Sequence, residues 1–80
     1  ISAPRLDVRG VRLDEAVREV ERFLDRVVTQ GEAQAVILHG KGTGAIRSGI
    51  WEYLKTSPYA REFRLGDGSE GGEGVTVVAL

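Results

Sequence analysis

One stretch of the sequence, residues 13–28, limits the possible folds more than any other. Its apolar residues recur at intervals of three and four, the spacing of a helix with one apolar face. They are Leu13, Ala16, Val17, Val20, Phe23, Leu24, Val27 and Val28. Opposite charges three or four positions apart fill the other face, which we interpret as solvated surface. Gly31 stands where a left-handed residue ends a helix, so we predict an amphipathic helix from Leu13 to just before Gly31.

Short strands are predicted on both sides of this helix. Leu6 and Val8 alternate with Asp7 and Arg9, the period of two that is typical of a strand with one buried face. Residues 35–38 form a continuous apolar run, as expected of a strand at the centre of a sheet. Strand, helix and strand in this order predict a parallel pair.

A second helix is predicted after the glycine-rich segment that follows the central strand. It must end near Ser57, because Pro58 disfavours a helical residue before it. Gly49 inside the helix lowers its stability, so we expect close packing at that position. The apolar residues that mark the helix are Ile46, Ile50, Tyr53 and Leu54.

The remaining segments complete an α/β fold. Residues 62–65 alternate between charged and apolar side chains and predict an edge strand. Residues 66–74 hold five glycines and predict a loop, and residues 75–80 predict a last strand. The βαβαββ order indicates a two-layer sandwich, with a four-stranded mixed sheet and two helices on one face. The other face stays partly open, and Asp7 and Arg9 would face that opening.

Composition limits the setting of this domain. The chain has 80 residues, no cysteine and a formal net charge of −1. This length fits one domain, residues 1–80, in which we expect residues 1–5 to be the remnant of a linker. The lack of cysteine fits a reducing compartment, which we predict to be the cytoplasm, and no apolar run approaches the roughly 20 residues of a membrane span. With balanced charge, any binding of nucleic acid must be local.

The glycine-rich segment is the first candidate site. Gly40, Gly42 and Gly44 lie between a buried strand and a helix start, where free N–H groups and the helix dipole favour an anion such as phosphate. Lys41 adds a positive charge, and Thr43 or Gly44 is placed to cap the helix. We therefore predict a phosphate site over these five residues. The alternative is that the glycines only form a tight turn.

Two well-known nucleotide motifs come close to this segment, and neither fits. A Walker loop needs four residues between its first glycine and Gly-Lys-Ser/Thr, whereas Gly40 and Lys41 follow His39 directly. The dinucleotide pattern matches Gly40, Gly42 and Ala45 but starts after the second strand, and the following unit with its acidic residue is missing. We therefore expect no nucleotide cofactor in this domain.

His39, the only histidine, follows the central strand at its carboxyl end. Sheets of this class present ligands and chemistry at that position. With an ordinary pKa of about 6.5, its imidazole can act as an acid or a base near neutral pH. A single histidine is more often structural, and both interpretations stay open here.

Three segments together resemble the Smr (small MutS-related) domain family, and the resemblance covers nearly the whole chain. The family's Leu-Asp-X-(Arg or His)-Gly motif falls on Leu6–Gly10, and its His-Gly-X-Gly motif falls on His39–Gly42. Its Gly-Gly-X-Gly-X-Thr-Val segment falls on Gly71–Val77. Arg9, where many stand-alone members carry histidine, indicates the members that form the C-terminal domain of the second bacterial MutS homologue.

The resemblance implies a fold similar to the C-terminal domain of translation initiation factor 3. It also implies a DNA-nicking endonuclease that cleaves phosphodiester bonds of branched recombination intermediates as part of a longer MutS-like chain. An alternative that it implies is a non-catalytic module that binds RNA or ribosomes in translation quality control. A third possibility is a docking domain for protein partners, without affinity for nucleic acid.

For nuclease action, we predict Asp7, Arg9 and His39 as the catalytic residues. The amides of residues 40–44, with Lys41 and Arg9, would hold the scissile phosphate and neutralise its growing charge. His39 would activate water or protonate the leaving oxygen. Asp7 would orient His39 or hold Mg²⁺ or Mn²⁺, for which carboxylate oxygen is the usual ligand.

A metal site at Asp7 would need a second carboxylate. Glu15, in the first turn after the strand that carries Asp7, is the first candidate, and Glu73 is the next. Glu15 also suits the positive end of the helix dipole, which is a purely structural reason for its presence.

Arg9 has structural alternatives as well. It could form a salt bridge with Asp7 or with Glu62 on a neighbouring strand. In a binding module, Arg47 would join Arg9 and Lys41 in holding a nucleic-acid backbone, and binding would depend steeply on salt.

Overall fold

The structure is a computed structural model that describes residues 3–80. Within them lie the strands β1 (Arg5–Asp7), β2 (Gln34–Leu38), β3 (Glu62–Leu65) and β4 (Val75–Ala79) and the helices α1 (Leu13–Thr29) and α2 (Ala45–Leu54). A short 3₁₀ turn, Gly72–Gly74, leads into β4. The predicted βαβαββ order is confirmed. Neither α1 nor α2, the α-helices between residues 3 and 80, is long and apolar enough to cross a bilayer.

The strands form one mixed sheet in the order β1-β2-β4-β3. β1 pairs with β2 in parallel, with Leu6 opposite Ile37, and β4 is antiparallel to both of its neighbours. The predicted central position of the apolar run, the parallel pair and the edge position of β3 are confirmed. β1 and β3 lie at opposite edges of the sheet, so the alternative of a salt bridge between Arg9 and Glu62 is wrong.

Both helices pack against one face of the sheet. Ala35, Ile37 and Val78 from that face share a buried core with apolar residues of both helices. The helix residues in this core are Ala16, Val20, Phe23, Leu24 and Val27 of α1 and Ile50 and Leu54 of α2. The opposite face stays partly open, as predicted, with a shallow cavity of about 600 Å³ beside Arg5 and Val36.

Two glycines explain how the helices end and meet. Gly31 has a φ of +81°, and the N–H of Glu32 donates to the Val27 carbonyl, which closes α1 as predicted. Gly49 lies where α2 crosses the start of α1, and a Cβ at this position would overlap the Leu13 side chain. The expected close packing at Gly49 is therefore confirmed.

Two segments are more ordered than we predicted. Arg64 forms two hydrogen bonds to the Glu70 carboxylate, at 2.7 and 2.9 Å, and these fold the first part of the 66–74 loop back on the sheet. Pro4, expected in a linker, accepts a hydrogen bond from Val36 through its carbonyl, and Arg5 already belongs to β1. The first two residues of the expected linker lie outside the described residues.

Candidate functional site

The three motif segments meet at one edge of the sheet. β1 and β2 are parallel, so both strands end at this edge, and the antiparallel β4 begins there. The Gly74 carbonyl accepts hydrogen bonds from the N–H groups of His39, at 3.0 Å, and Gly40, at 2.9 Å. A Cβ on Gly40 would lie 3.5 Å from Cγ of Arg9. The topology therefore brings together Arg9, the adjacent pair His39 and Gly40, and Gly74, which come from three distant parts of the chain.

The glycine loop, residues 40–44, exposes a row of backbone donors. Its φ angles of +81° at Gly40, +39° at Gly42 and +86° at Gly44 lie in the left-handed region that favours glycine. Across residues 3–80, the N–H groups of residues 41–44 donate no hydrogen bond to a protein acceptor. Gly44 is the cap residue of α2, and Thr43 Oγ1 accepts a bond from the Ala45 N–H at 3.3 Å.

One predicted phosphate donor does not fit this arrangement. The N–H of Gly40 donates to the Gly74 carbonyl, so this amide is already paired inside the protein. Gly40 contributes by its left-handed backbone conformation, whereas the available amides are those of residues 41–44.

Cationic side chains surround these amides. Arg47 folds back over the loop, and its Nη2 would lie 3.1 Å from a Cβ on Gly44. Lys41 and Arg47 line a shallow cavity of about 150 Å³ together with residues 42–44 and Glu73. The free amides, the start of α2 and these cations favour an anion of phosphate size. Glu73, the metal candidate after Glu15, is the acidic side chain at this cavity.

Arg9 is held by Asp7. The Asp7 carboxylate accepts hydrogen bonds from Nε of Arg9 at 3.0 Å and from Nη2 at 2.8 Å, and its Oδ1 also accepts from the Arg9 backbone N–H. These bonds lower the pKa of Asp7 to about 2 and raise the pKa of Arg9, so both groups are charged at neutral pH. A guanidinium has five N–H donors, and three of them remain available on Arg9.

His39 is buried and has a partner at each ring nitrogen. Nδ1 lies 2.9 Å from the Gly40 carbonyl oxygen, and Nε2 lies 2.8 Å from the Thr76 hydroxyl. Because a carbonyl only accepts, Nδ1 carries the proton and the neutral ring accepts a hydrogen bond at Nε2. Only 6% of the residue is exposed, and burial lowers the pKa of His39 below 6.5.

This burial predicts a pH dependence of stability. An unfolded chain takes up a proton at His39 near pH 6.5, whereas the folded chain takes it up only at lower pH. We therefore expect the free energy of unfolding to fall as the pH drops below about 6.5, well above the range in which Asp7 loses its charge. An NMR titration checks this, since the chain has one imidazole, and a pKa at or above 6.5 would contradict it.

The residues present do not form a built metal site. Both carboxylate oxygens of Asp7 accept hydrogen bonds from Arg9, and Glu15 is an exposed residue in the first turn of α1. In the part of the chain that the structure describes, no three His, Cys, Asp or Glu side chains come together closely enough to hold an ion. The predicted metal set of Asp7 and Glu15 does not fit Mg²⁺ or Mn²⁺ in this arrangement.

Thr76 and Trp51 form a polar pair beside His39 that the sequence did not predict. Trp51 Nε1 donates to Thr76 Oγ1 at 2.9 Å, and Thr76 is fully buried. A signal for this pairing exists in the sequence, because Thr76 is the polar residue in an otherwise apolar strand, and a buried hydroxyl needs a partner. The partners themselves depend on the strand register and on the packing of α2.

Fold and loop together define a class of protein: a small α/β domain with a cationic, amide-lined loop where its parallel strands end. Residues 6–80 match the family model of the Smr domain, and the chain belongs to this family. The resemblance seen in the three motifs is therefore confirmed.

Sequence relatives are longer proteins. The chain is 58% identical over 76 residues to "Endonuclease MutS2" of Anaeromyxobacter sp. (strain Fw109-5). It is 50% identical over 78 residues to "Endonuclease MutS2" of Caldanaerobacter subterraneus subsp. tengcongensis. These alignments cover 95% and 98% of this chain but 9% and 10% of the relatives, so the chain corresponds to a small part of each.

Two solved structures are similar over nearly the whole chain. The Smr domain of Thermus thermophilus MutS2 superposes with a TM-score of 0.94 at 41% identity, and the match covers 98% of each chain. YdaL, a stand-alone small MutS-related protein from Escherichia coli, has a TM-score of 0.88 at 23% identity and is covered to 63%. The second similarity concerns the fold alone.

Proposed function

We propose that this domain is a DNA-nicking endonuclease module that holds a scissile phosphodiester at the glycine loop. The observation that carries the proposal is the group of unpaired amides of residues 41–44 within the described chain, with Lys41 and Arg47 around them and Arg9 beside Gly40. The name of the relatives, endonuclease MutS2, supports cleavage as the activity. As the resemblance implies, we propose branched recombination intermediates as the DNA and a longer MutS-like chain as the setting.

Arg9 is the residue that we propose to contact the phosphate most directly. Asp7 engages two of its side-chain N–H groups and leaves three for phosphate oxygens. A guanidinium that is held in place binds a phosphate with less loss of freedom than a mobile one. Asp7 therefore acts in this proposal through Arg9, as a positioning residue.

The loop supplies the second part of the phosphate grip. Attack on a phosphodiester increases the negative charge on its non-bridging oxygens, and fixed donors that face these oxygens lower the barrier. The amides of residues 41–44 are such donors, since the backbone holds them in place before the substrate arrives. Lys41 and Arg47 add charge that attracts the DNA backbone.

Conversion of supercoiled plasmid to nicked circle tests this proposal. We expect the purified domain to nick the plasmid, and we expect the Asp7→Asn and His39→Ala variants, prepared identically and shown to be folded, to lose that activity. Parallel reactions with Mg²⁺, Mn²⁺ or EDTA test the need for a metal ion. Equal nicking by all three proteins would mean that the activity is a contaminant or uses other residues.

A second candidate is a binding module that does not cleave. It is favoured by the state of His39, because both ring nitrogens are already paired and the side chain is buried. In that case the same loop would hold a DNA or RNA backbone, including that of a ribosome, without chemistry. Salt-sensitive binding without nicking would identify this function.

Both candidates predict the same effect at Lys41. The Lys41→Ala variant removes one charge from the loop without touching the core, so the slope of log affinity against log salt should fall by about 1 for a duplex of any sequence. Fluorescence anisotropy with a labelled duplex at several salt concentrations measures this slope. Lys55→Ala is the matched control, because Lys55 pairs with Glu52 at the other end of α2. A slope unchanged by Lys41→Ala would place the DNA elsewhere.

A further inference from the structure

A buried chain of hydrogen bonds runs from α2 through β4 to the glycine loop. Trp51 Nε1 lies 2.9 Å from Thr76 Oγ1, which lies 2.8 Å from His39 Nε2, and His39 Nδ1 lies 2.9 Å from the Gly40 carbonyl oxygen. Thr76 is fully buried, and the Trp51 ring packs edge-on against Phe63 with the centroids 5.1 Å apart. This series of hydrogen bonds therefore joins α2 and β4 to the residues that follow β2, and the Trp51 ring packs against β3.

The two end groups, the Trp51 indole and the Gly40 carbonyl, fix the direction of each hydrogen bond in this series. The Trp51 indole can only donate, and the Gly40 carbonyl can only accept. The Thr76 hydroxyl accepts from Trp51 and has one proton, which it donates to His39 Nε2. An imidazole that accepts at Nε2 and is neutral carries its proton on Nδ1, and this proton binds the Gly40 carbonyl.

We propose that Thr76 and Trp51 are positioning residues for the glycine loop. They act on the loop through His39. This inference rests on the proposed function of the loop. His39 is in turn a positioning residue: it holds the Gly40 carbonyl, and it does not transfer a proton to or from the substrate while its Nε2 is bound to Thr76.

One peptide plane connects His39 to the anion site. The Gly40 carbonyl and the Lys41 N–H belong to the same peptide group, and in a trans peptide they point in opposite directions. When His39 holds the carbonyl, the Lys41 N–H is directed away from the imidazole. Among the described residues this N–H has no acceptor, which leaves it available to a phosphate oxygen. Loss of these hydrogen bonds would free the peptide group between Gly40 and Lys41 to rotate.

The test compares Thr76→Val, which removes the hydroxyl, with Thr76→Ser, which keeps it. The ¹⁵N resonances of the single imidazole report which ring nitrogen carries the proton, and the backbone amide of Lys41 reports the peptide plane. Nicking of supercoiled plasmid and binding of a short DNA duplex report the site. Trp51→Phe removes the first donor of the chain and serves as a second variant if Thr76→Val does not fold.

We expect wild type and Thr76→Ser to have the proton on Nδ1. In Thr76→Val we expect a mixture of tautomers, a shifted Lys41 amide and nicking reduced on the order of 10- to 100-fold, as for other small misplacements of a site. Recovery in Thr76→Ser separates positioning from simple loss of packing, since serine is the smaller residue.

Three outcomes would overturn the proposal. They are an unchanged tautomer in Thr76→Val, a changed tautomer with an unmoved Lys41 amide, and a changed tautomer and amide with unaltered binding and nicking. If the wild-type domain neither binds nor nicks DNA, the proposed function fails. The tautomer and the Lys41 amide then still decide whether Thr76 and Trp51 position the loop.

Discussion

The Arg9→Ala variant should nick plasmid DNA roughly 10²–10³-fold more slowly than the wild-type domain, the loss typical of removing one fixed donor to a transition-state oxygen. Arg9 has three free N–H groups, lies beside Gly40 of the glycine loop and is oriented by two hydrogen bonds to Asp7. Because the side chain is exposed and its ion pair is screened by water, its removal should change the free energy of unfolding very little. Rates at saturating plasmid, with urea unfolding of the same samples, separate the two effects.

Two further variants define what Arg9 contributes. Arg9→Lys keeps the charge but loses the planar fork that binds Asp7 and phosphate together, so it should remain closer to Arg9→Ala than to wild type. Arg12→Ala removes a nearby arginine that is 88% exposed at the start of α1, and it should nick normally. Full activity in Arg9→Ala would show that the phosphate lies elsewhere. Equal losses in Arg9→Ala and Arg12→Ala would indicate an effect of net charge alone.

The fold was largely predictable because local spacing encodes it. The apolar stripe from Leu13 to Val28 and the run of residues 35–38 each correspond to one element, and the edges of the stripe are its exposed members, Leu13 at 39% and Val28 at 38%. The ordered conformation of residues 66–74 was not predictable, because it depends on a hydrogen bond from Arg64 to Glu70 across a turn. Glycine content alone predicted a loop and gave no sign of this contact.

The candidate site was predictable in place but not in detail. A glycine loop after a parallel strand lies at the edge where ligands bind, whatever its neighbours are. The sequence left two possible partners for Arg9, Asp7 and Glu62, because strand order is a non-local property. The observed strand order excludes Glu62. The burial of His39 likewise depends on the register that places Ile37 opposite Thr76, which no local pattern reveals.

The Phe23→Ala variant should lose about 3–5 kcal/mol of unfolding free energy, the usual cost of removing a buried aromatic ring. Phe23 is 2% exposed at the middle of α1 and belongs to the core that joins both helices to the sheet. The Arg26 guanidinium also lies 5.5 Å from its ring centroid. Domains of this size are typically stable by only 5–15 kcal/mol, so this loss removes a large share of the total.

Urea unfolding followed by the fluorescence of Trp51, the only tryptophan, measures this loss. Val28→Ala is the matched control: it shortens an apolar side chain on the same helix, but one that is 38% exposed, and it should cost less than about 1 kcal/mol. Equal and small losses in the two variants would mean that α1 does not pack through Phe23 as described. If the losses differ as expected, plasmid nicking by Phe23→Ala should fail at a lower temperature than in wild type, because the glycine loop is held by α2 and β4, which share this core.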